Sequence, residues 1–158
     1  RIRETRATGA EQTGAAIGQR DSRRHGGNRA FYAVDPDYVQ MPPFESFRDA
    51  ESYYATLGHE CIHWTRNPAR LDREFGRKRW GDEGYAQEEL VAEIGAAMLC
   101  AQLGMEPTER EDHAAYVANW LTALRNDKRA IFHAATAAQA ATDFVLDAIN
   151  EPALAKAA

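Results

Sequence analysis

The hydrophobic pattern divides the chain into a short β-like stretch and a longer helical one. Residues 29–34 (RAFYAV) and 37–41 (DYVQM) are runs rich in aromatic and β-branched side chains, parted by Asp35-Pro36, and they predict a hairpin or paired edge strands. Pro42 and Pro43 forbid further pairing and lead into the first long helix. That helix is expected from about Ser46, with Asp49 three residues on in a variant capping box, to about Arg66, where Asn67-Pro68 stops it. A loop rich in Arg, Gly and Asp follows over 67–84. A second helix is expected over 85–103 with Gly104 as its C-terminal cap. A third opens at Thr108 with Glu111 as capping partner and carries Tyr116, Val117, Trp120, Leu121 and Leu124 at helical spacing. A fourth, rich in Ala, runs over 127–150 and is closed by Pro152. Ahead of these, 4–17 is compatible with a helix weakened by Gly9 and Gly14, and 18–28 reads as a loop. Together this is an α+β domain in which helices dominate, with a small N-terminal β element.

Composition narrows the class. A chain of 158 residues suits one domain and can bury roughly 70% of its unfolded surface without disulfides. With 44% hydrophobic and 27% charged residues, neither a disordered nor a membrane protein is indicated. There is no apolar run of membrane-spanning length and no apolar core of a signal peptide, so a cytoplasmic location is expected, with no membrane partner. Cys61 and Cys100 each fall among apolar neighbours in an expected helix and read as buried free thiols. The net charge of −5 hides an asymmetry: the first 30 residues carry seven Arg against Glu4, Glu11 and Asp21. The chain therefore divides into a basic arm and loop over 1–28, a domain over 29–152 and a tail over 153–158. The arm reads first as solvated surface and second as a nucleic-acid contact. Arg66, Arg70, Arg73, Arg77, Lys78 and Arg79 around Trp80 read likewise, as a solvated loop before a single-stranded nucleic-acid site.

The segment that carries chemistry is His59-Glu60-Cys61-Ile62-His63. On a helix, positions four apart share a face one turn apart, so His59 and His63 can aim two imidazoles at one ion. Glu60 follows the first ligand directly, in the place of the general base that reaches a water at the metal. Zinc normally takes a third protein ligand and keeps one position open. The next helix supplies candidates, since Glu89 and Glu93 are also four apart and lie among Leu90, Val91, Ala92 and Ile94, where a lone carboxylate is costly unless paired or bound to metal. Cys61 lies about 100° round the helix from His59 and is not expected to be a ligand. His25 and His133 have no partner at ligand spacing and read as surface or capping residues; Trp64, Trp80 and Trp120 read as core or loop anchors.

These residues carry a resemblance. The run His59-Glu60-Cys61-Ile62-His63-Trp64-Thr65, followed by Tyr85-Ala86-Gln87-Glu88-Glu89-Leu90-Val91-Ala92-Glu93, resembles the C-terminal metallopeptidase domain of ArdC-type antirestriction proteins and the related TraC-type conjugation primases and other polyvalent mobile-element proteins. Pro42-Pro43-Phe44, Tyr53-Tyr54-Ala55-Thr56-Leu57, and Trp120-Leu121 through Asp127-Lys128-Arg129-Ala130-Ile131-Phe132 extend it over about 31–144. Cys61 departs from the small or apolar residue commoner at that place. The resemblance implies a zincin-like (gluzincin) fold, one zinc ion per chain, and an association with plasmid conjugation and antirestriction. It also implies a single-stranded-DNA-binding N-terminal domain of the family, which this chain is not expected to contain. By analogy with the thermolysin-like pattern, Glu89 takes the metal and Glu93 hydrogen-bonds a ligating histidine, the reverse assignment staying open. Tyr85, one turn before Glu89, is a candidate to stabilise an oxyanion, with His113 and Tyr116 as weaker ones.

Three functions follow from different classes, the third being a catalytically silent interaction domain. The first is a zinc-dependent peptidase domain that hydrolyses a peptide or protein substrate with Glu60 as base. The second is a non-catalytic, DNA-associated antirestriction module with structural zinc, whose partner is single-stranded DNA, through an N-terminal domain or the basic arm, or a restriction-system protein. The open fourth ligand position favours the first; the basic arm and the family association favour the second.

Overall fold

The two aromatic runs pair as expected: β2 (Phe31–Ala33) lies antiparallel to β3 (Tyr38–Met41), with Tyr32 opposite Val39. The turn between them is reached through Asp37, whose φ of 51° an aspartate tolerates better than most side chains. Residues 23–25, within the stretch expected to be a loop, form a third strand instead. β1 (Arg23–His25) runs parallel to β3, giving the sheet order β1-β3-β2. Three residues are too few for a readable hydrophobic alternation, so a strand held by its partner's backbone leaves no mark in the side chains. The computed structural model that gives this architecture describes residues 23–76, 83–105, 120–122 and 124–155. The stretch 4–17, the start of the third expected helix, and Arg77, Lys78, Arg79, Trp80, His113 and Tyr116 lie outside them.

The first long helix, α1, spans Ala50–Trp64. Its cap is Asp49 itself, whose carboxylate accepts from the Ser52 backbone N–H at 2.7 Å. The expected start at Ser46 is therefore displaced: Phe44–Ser46 form a separate 3₁₀ turn after the two prolines. α1 is buried almost all round from Leu57 to His63, as befits a helix covered by the sheet on one side and helices on others. Val39 and Met41 of β3 join Leu57, Cys61 and Ile62 in the core.

The second helix, α2 (Glu83–Gln102), packs against α1 and against α3 (Ala130–Ala155). Its end is as expected from Gly104: with φ at +67°, Met105 N donates to Cys100 O and Gly104 N to Ala101 O, the two bonds of a Schellman cap. Small residues let the helices approach closely. A Cβ on Gly95 would sit 2.9 Å from Ile62 Cγ1, and α3 offers Ala134, Ala138, Ala141 and Val145, all buried, along one face. α3 begins three residues later than expected and is not closed by Pro152, which lies within its last turn. Among the described residues no helix is long and apolar enough to cross a membrane.

Candidate metal centre

α1 and α2 bring together the residues their spacing suggested. His59 Nε2 and His63 Nε2 lie 3.1 Å apart, and Glu89 reaches both, Oε2 at 3.6 Å from His59 Nε2 and Oε1 at 3.4 Å from His63 Nε2. All three residues are buried, and their donor atoms form a group that could hold a metal ion. The edge of a zinc tetrahedron with bonds of 2.0–2.1 Å is about 3.3 Å, so the three donors are spaced as ligands of one such ion would be. The donor set, two imidazoles and a carboxylate, suits a borderline divalent cation.

The far side of each imidazole is also occupied. His63 Nδ1 is hydrogen-bonded to Glu88 Oε1 at 3.1 Å, and His59 Nδ1 lies 3.2 Å from Glu93 Oε1, though without the alignment of a hydrogen bond. A carboxylate behind a histidine fixes which nitrogen carries the proton and turns the other toward the metal. Glu93 thus sits behind His59, and Glu89 has the ring nitrogens on the metal side. Glu88 was not singled out by the sequence. Its neighbour Glu89 is about 100° away on the helix, and two histidines a turn apart on α1 are close enough for both carboxylates to face them. The doublet itself was the available signal.

Electrostatics make the pocket a trap for positive charge. Burial pushes the His63 pKa down, but hydrogen bonds to Glu88 and Glu89 and their negative charge outweigh it and raise the pKa to about 10. Glu89 is opposed by burial yet held well below the usual carboxylate range by its bonds to His59 and His63. Glu88, likewise opposed by burial, is lowered by Arg73 and His63. A divalent cation would replace the proton that His63 attracts.

Glu60 is 3% exposed and forms no ion pair among the described residues. A buried carboxylate so placed is costly unless a ligand or cation of the site compensates it. Tyr85 is buried one turn before Glu89 on α2. Cys61 packs in the core; burial, with help from Glu60, pushes its thiol up, so it has neither the thiolate nor the position of a ligand. Both cysteines are free. His25 and His133 are exposed, the former bonded to Tyr53 Oη at 2.9 Å.

The expected solvated character of the basic stretch after α1 does not hold where it is described. Arg66 and Arg73 are buried, and Arg70 is half-buried over the Trp64 ring, 3.9 Å from its centroid, paired with Asp37. Each guanidinium has a carboxylate: Glu74 of the same loop for Arg66, and from other elements Asp37 for Arg70 and Glu88 for Arg73. Trp64 anchors the loop as expected.

A family model described as a zincin-like metallopeptidase matches residues 10–137. The chain belongs to this family. Relatives include the "Uncharacterized protein y4eC" of Sinorhizobium fredii (strain NBRC 101917 / NGR234), 50% identical over 122 residues, and a DNA primase TraC of Escherichia coli, 46% identical over 124. These alignments cover 77% and 78% of this chain but 39% and 12% of the relatives, so the chain spans well under half of either. The Mn(II)-bound crystal structure of the antirestriction protein ArdC from plasmid R388 superposes with a TM-score of 0.79 at 45% identity, covering 89% of this chain and 51% of that one. The metal-free form of the same protein gives 0.78 at 46% identity, covering 90% and 50%. The likeness to the ArdC-type domain and to TraC primases holds, and with it the helix-dominated zincin-like fold.

Proposed function

We propose that this zincin-like domain is a zinc-dependent peptidase that uses Glu60 as its general base. The observation that carries the reading is the buried Glu60 carboxylate, without an ion pair among the described residues, immediately after a histidine that converges with His63 and Glu89. His59 and His63 would hold the metal through Nε2 and Glu89 through its carboxylate, the reverse roles of Glu89 and Glu93 being the alternative. When bound, zinc supplies Lewis acidity, lowering the pKa of a water toward about 7 and polarising a carbonyl. The Glu60 carboxylate then accepts the proton of the water that attacks the peptide carbonyl and passes it to the leaving amine nitrogen. Glu93 and Glu88 keep the two imidazoles turned toward the metal. Tyr85 would donate its O–H to the developing oxyanion.

The substrate is a peptide or protein. The match to an antirestriction protein supports a role on a plasmid or other mobile element, with a restriction-system protein as the natural candidate. The second reading, a non-catalytic antirestriction module associated with DNA, is favoured by that same match. It would leave zinc a structural role, and such sites normally close with four protein ligands; the convergent donors found among the described residues are three. Contact with single-stranded DNA through the basic arm would rest on phosphate charge and fall steeply with salt.

The deciding experiment compares wild type with Glu60→Gln on unfolded protein and on restriction-enzyme subunits. Zinc content and folding should be unchanged, while hydrolysis drops by about 10²–10⁴-fold. Equal hydrolysis by both forms removes Glu60 as base. If neither form cleaves while both protect transferred DNA in cells, the second reading is correct.

A further inference from the structure

Of the buried arginines, which take no part in the proposed hydrolysis, Arg73 lies against the site. Arg73 belongs to the loop after α1, yet its side chain is 7% exposed and every bond it makes runs toward the site. Nε donates to Glu88 Oε2 and Nη2 to Glu88 Oε1, both at 2.8 Å. Nη1 donates to Thr65 Oγ1 at 3.0 Å, and Nη2 also to the backbone carbonyl of Ile62 at 2.9 Å. Thr65 is itself tied to that carbonyl, at 2.6 Å. One planar guanidinium therefore grips the last turn of the helix that carries His63 and, through both oxygens, the carboxylate that receives His63 Nδ1.

We infer that Arg73 is the positioning residue of the metal centre: through Glu88 it fixes the His63 ring, so that metal binding depends on the seating of the 65–76 loop against α1. This rests on the metal-binding part of the reading above. A bare counter-charge for Glu88 would need only one contact with the carboxylate. The two bonds to Thr65 and Ile62 do nothing for Glu88's charge; they set the angle at which its oxygen meets the imidazole. Lysine, a point charge, can pair with Glu88 but cannot span both carboxylate oxygens and both α1 anchors at once.

The test titrates the chain with Co(II), whose d–d spectrum reports ligand geometry, and measures Zn(II) affinity by chelator competition, in wild type, Arg73→Lys, Arg73→Met and Thr65→Val. Arg73→Lys should fold, bind Zn(II) about 10–100-fold more weakly and shift the Co(II) spectrum. Thr65→Val, which removes one anchor and leaves the Arg73–Glu88 pair, should shift it in the same sense by less. If Arg73→Met does not fold, these two variants carry the test. Wild-type affinity and an unaltered spectrum in both, with only a lower melting temperature, would show a merely structural pair and overturn the inference alone. A wild-type chain that binds neither ion overturns the metal reading and this inference with it.

Discussion

His59 and His63 stand one turn apart on the same helix and share Glu89, yet α2 supports them unequally. Behind His63 the hydrogen bond from Nδ1 to Glu88 is aligned, and Glu88, 3% exposed, is held through both oxygens by Arg73. Behind His59, Glu93 is at comparable distance but off the hydrogen-bond direction, and its side chain is 16% exposed. A motif can place two ligands by helical spacing alone, but their orientation comes from side chains on other elements, and those need not match. His63 has an aligned hydrogen bond behind its ring, whereas the equally buried His59 has a nearby carboxylate charge there instead.

The largest effect expected breaks the feature both halves share. Glu89→Ala should abolish stoichiometric metal retention after dialysis, measured by elemental analysis, whereas Glu93→Ala should weaken affinity about 10–100-fold. The opposite order would make Glu93 the ligand. Next, Glu88→Gln should cost about 3–5 kcal/mol in urea unfolding of the metal-free chain, because it leaves the Arg73 guanidinium buried without its counter-charge. Glu93→Gln should cost less, its group being the more exposed of the two; equal losses would erase the contrast. Gly95→Ala probes the seam between α1 and α2. Its Cβ would meet the stiff, branched Ile62 side chain at 2.9–3.0 Å, so a loss of about 1–3 kcal/mol in urea unfolding is expected. The smallest effect is a control at the other end of α1. Asp49 is held at about 2 by the Ser52 hydroxyl, then Arg48 and the Ser52 backbone. A depressed carboxylate stabilises the fold above its ordinary pKa of 3.8 and stops doing so as pH falls through about 2. Asp49→Ala should therefore lower thermal stability slightly at pH 7, leave metal affinity unchanged and flatten the acid limb of a melting series.

Much of the architecture was legible because it is local. The hairpin pairing of β2 with β3, the body of α1 and α2, and the Gly104 cap all follow from propensities and backbone freedom within a few residues. Boundaries were less so: Asp49 outcompeted Ser46 as cap because it alone places a carboxylate on the Ser52 N–H. β1 left no signal because a parallel strand of three residues is defined by a partner sixteen residues away. At the site, the pairs His59 and His63, and Glu89 and Glu93, are marked by their spacing of four, and Glu60 by its place directly after the first histidine. Arg70 and Arg73 look solvated in the sequence because their carboxylate partners lie 33 and 15 residues distant.

What the sequence by itself determined is a helix presenting two imidazoles on one face and a following helix presenting carboxylates on one face, since helical periodicity is a property of the chain alone. Only the tertiary structure decided that these faces meet, with Glu89 3.4–3.6 Å from both rings, and that Glu88 rather than Glu93 is locked by an arginine from the loop. The physical reason is range. Spacing fixes direction within one helix, whereas the register between two helices is set by how closely Gly95 lets α2 approach Ile62, and the charge around each imidazole by residues that the fold brings from far along the chain.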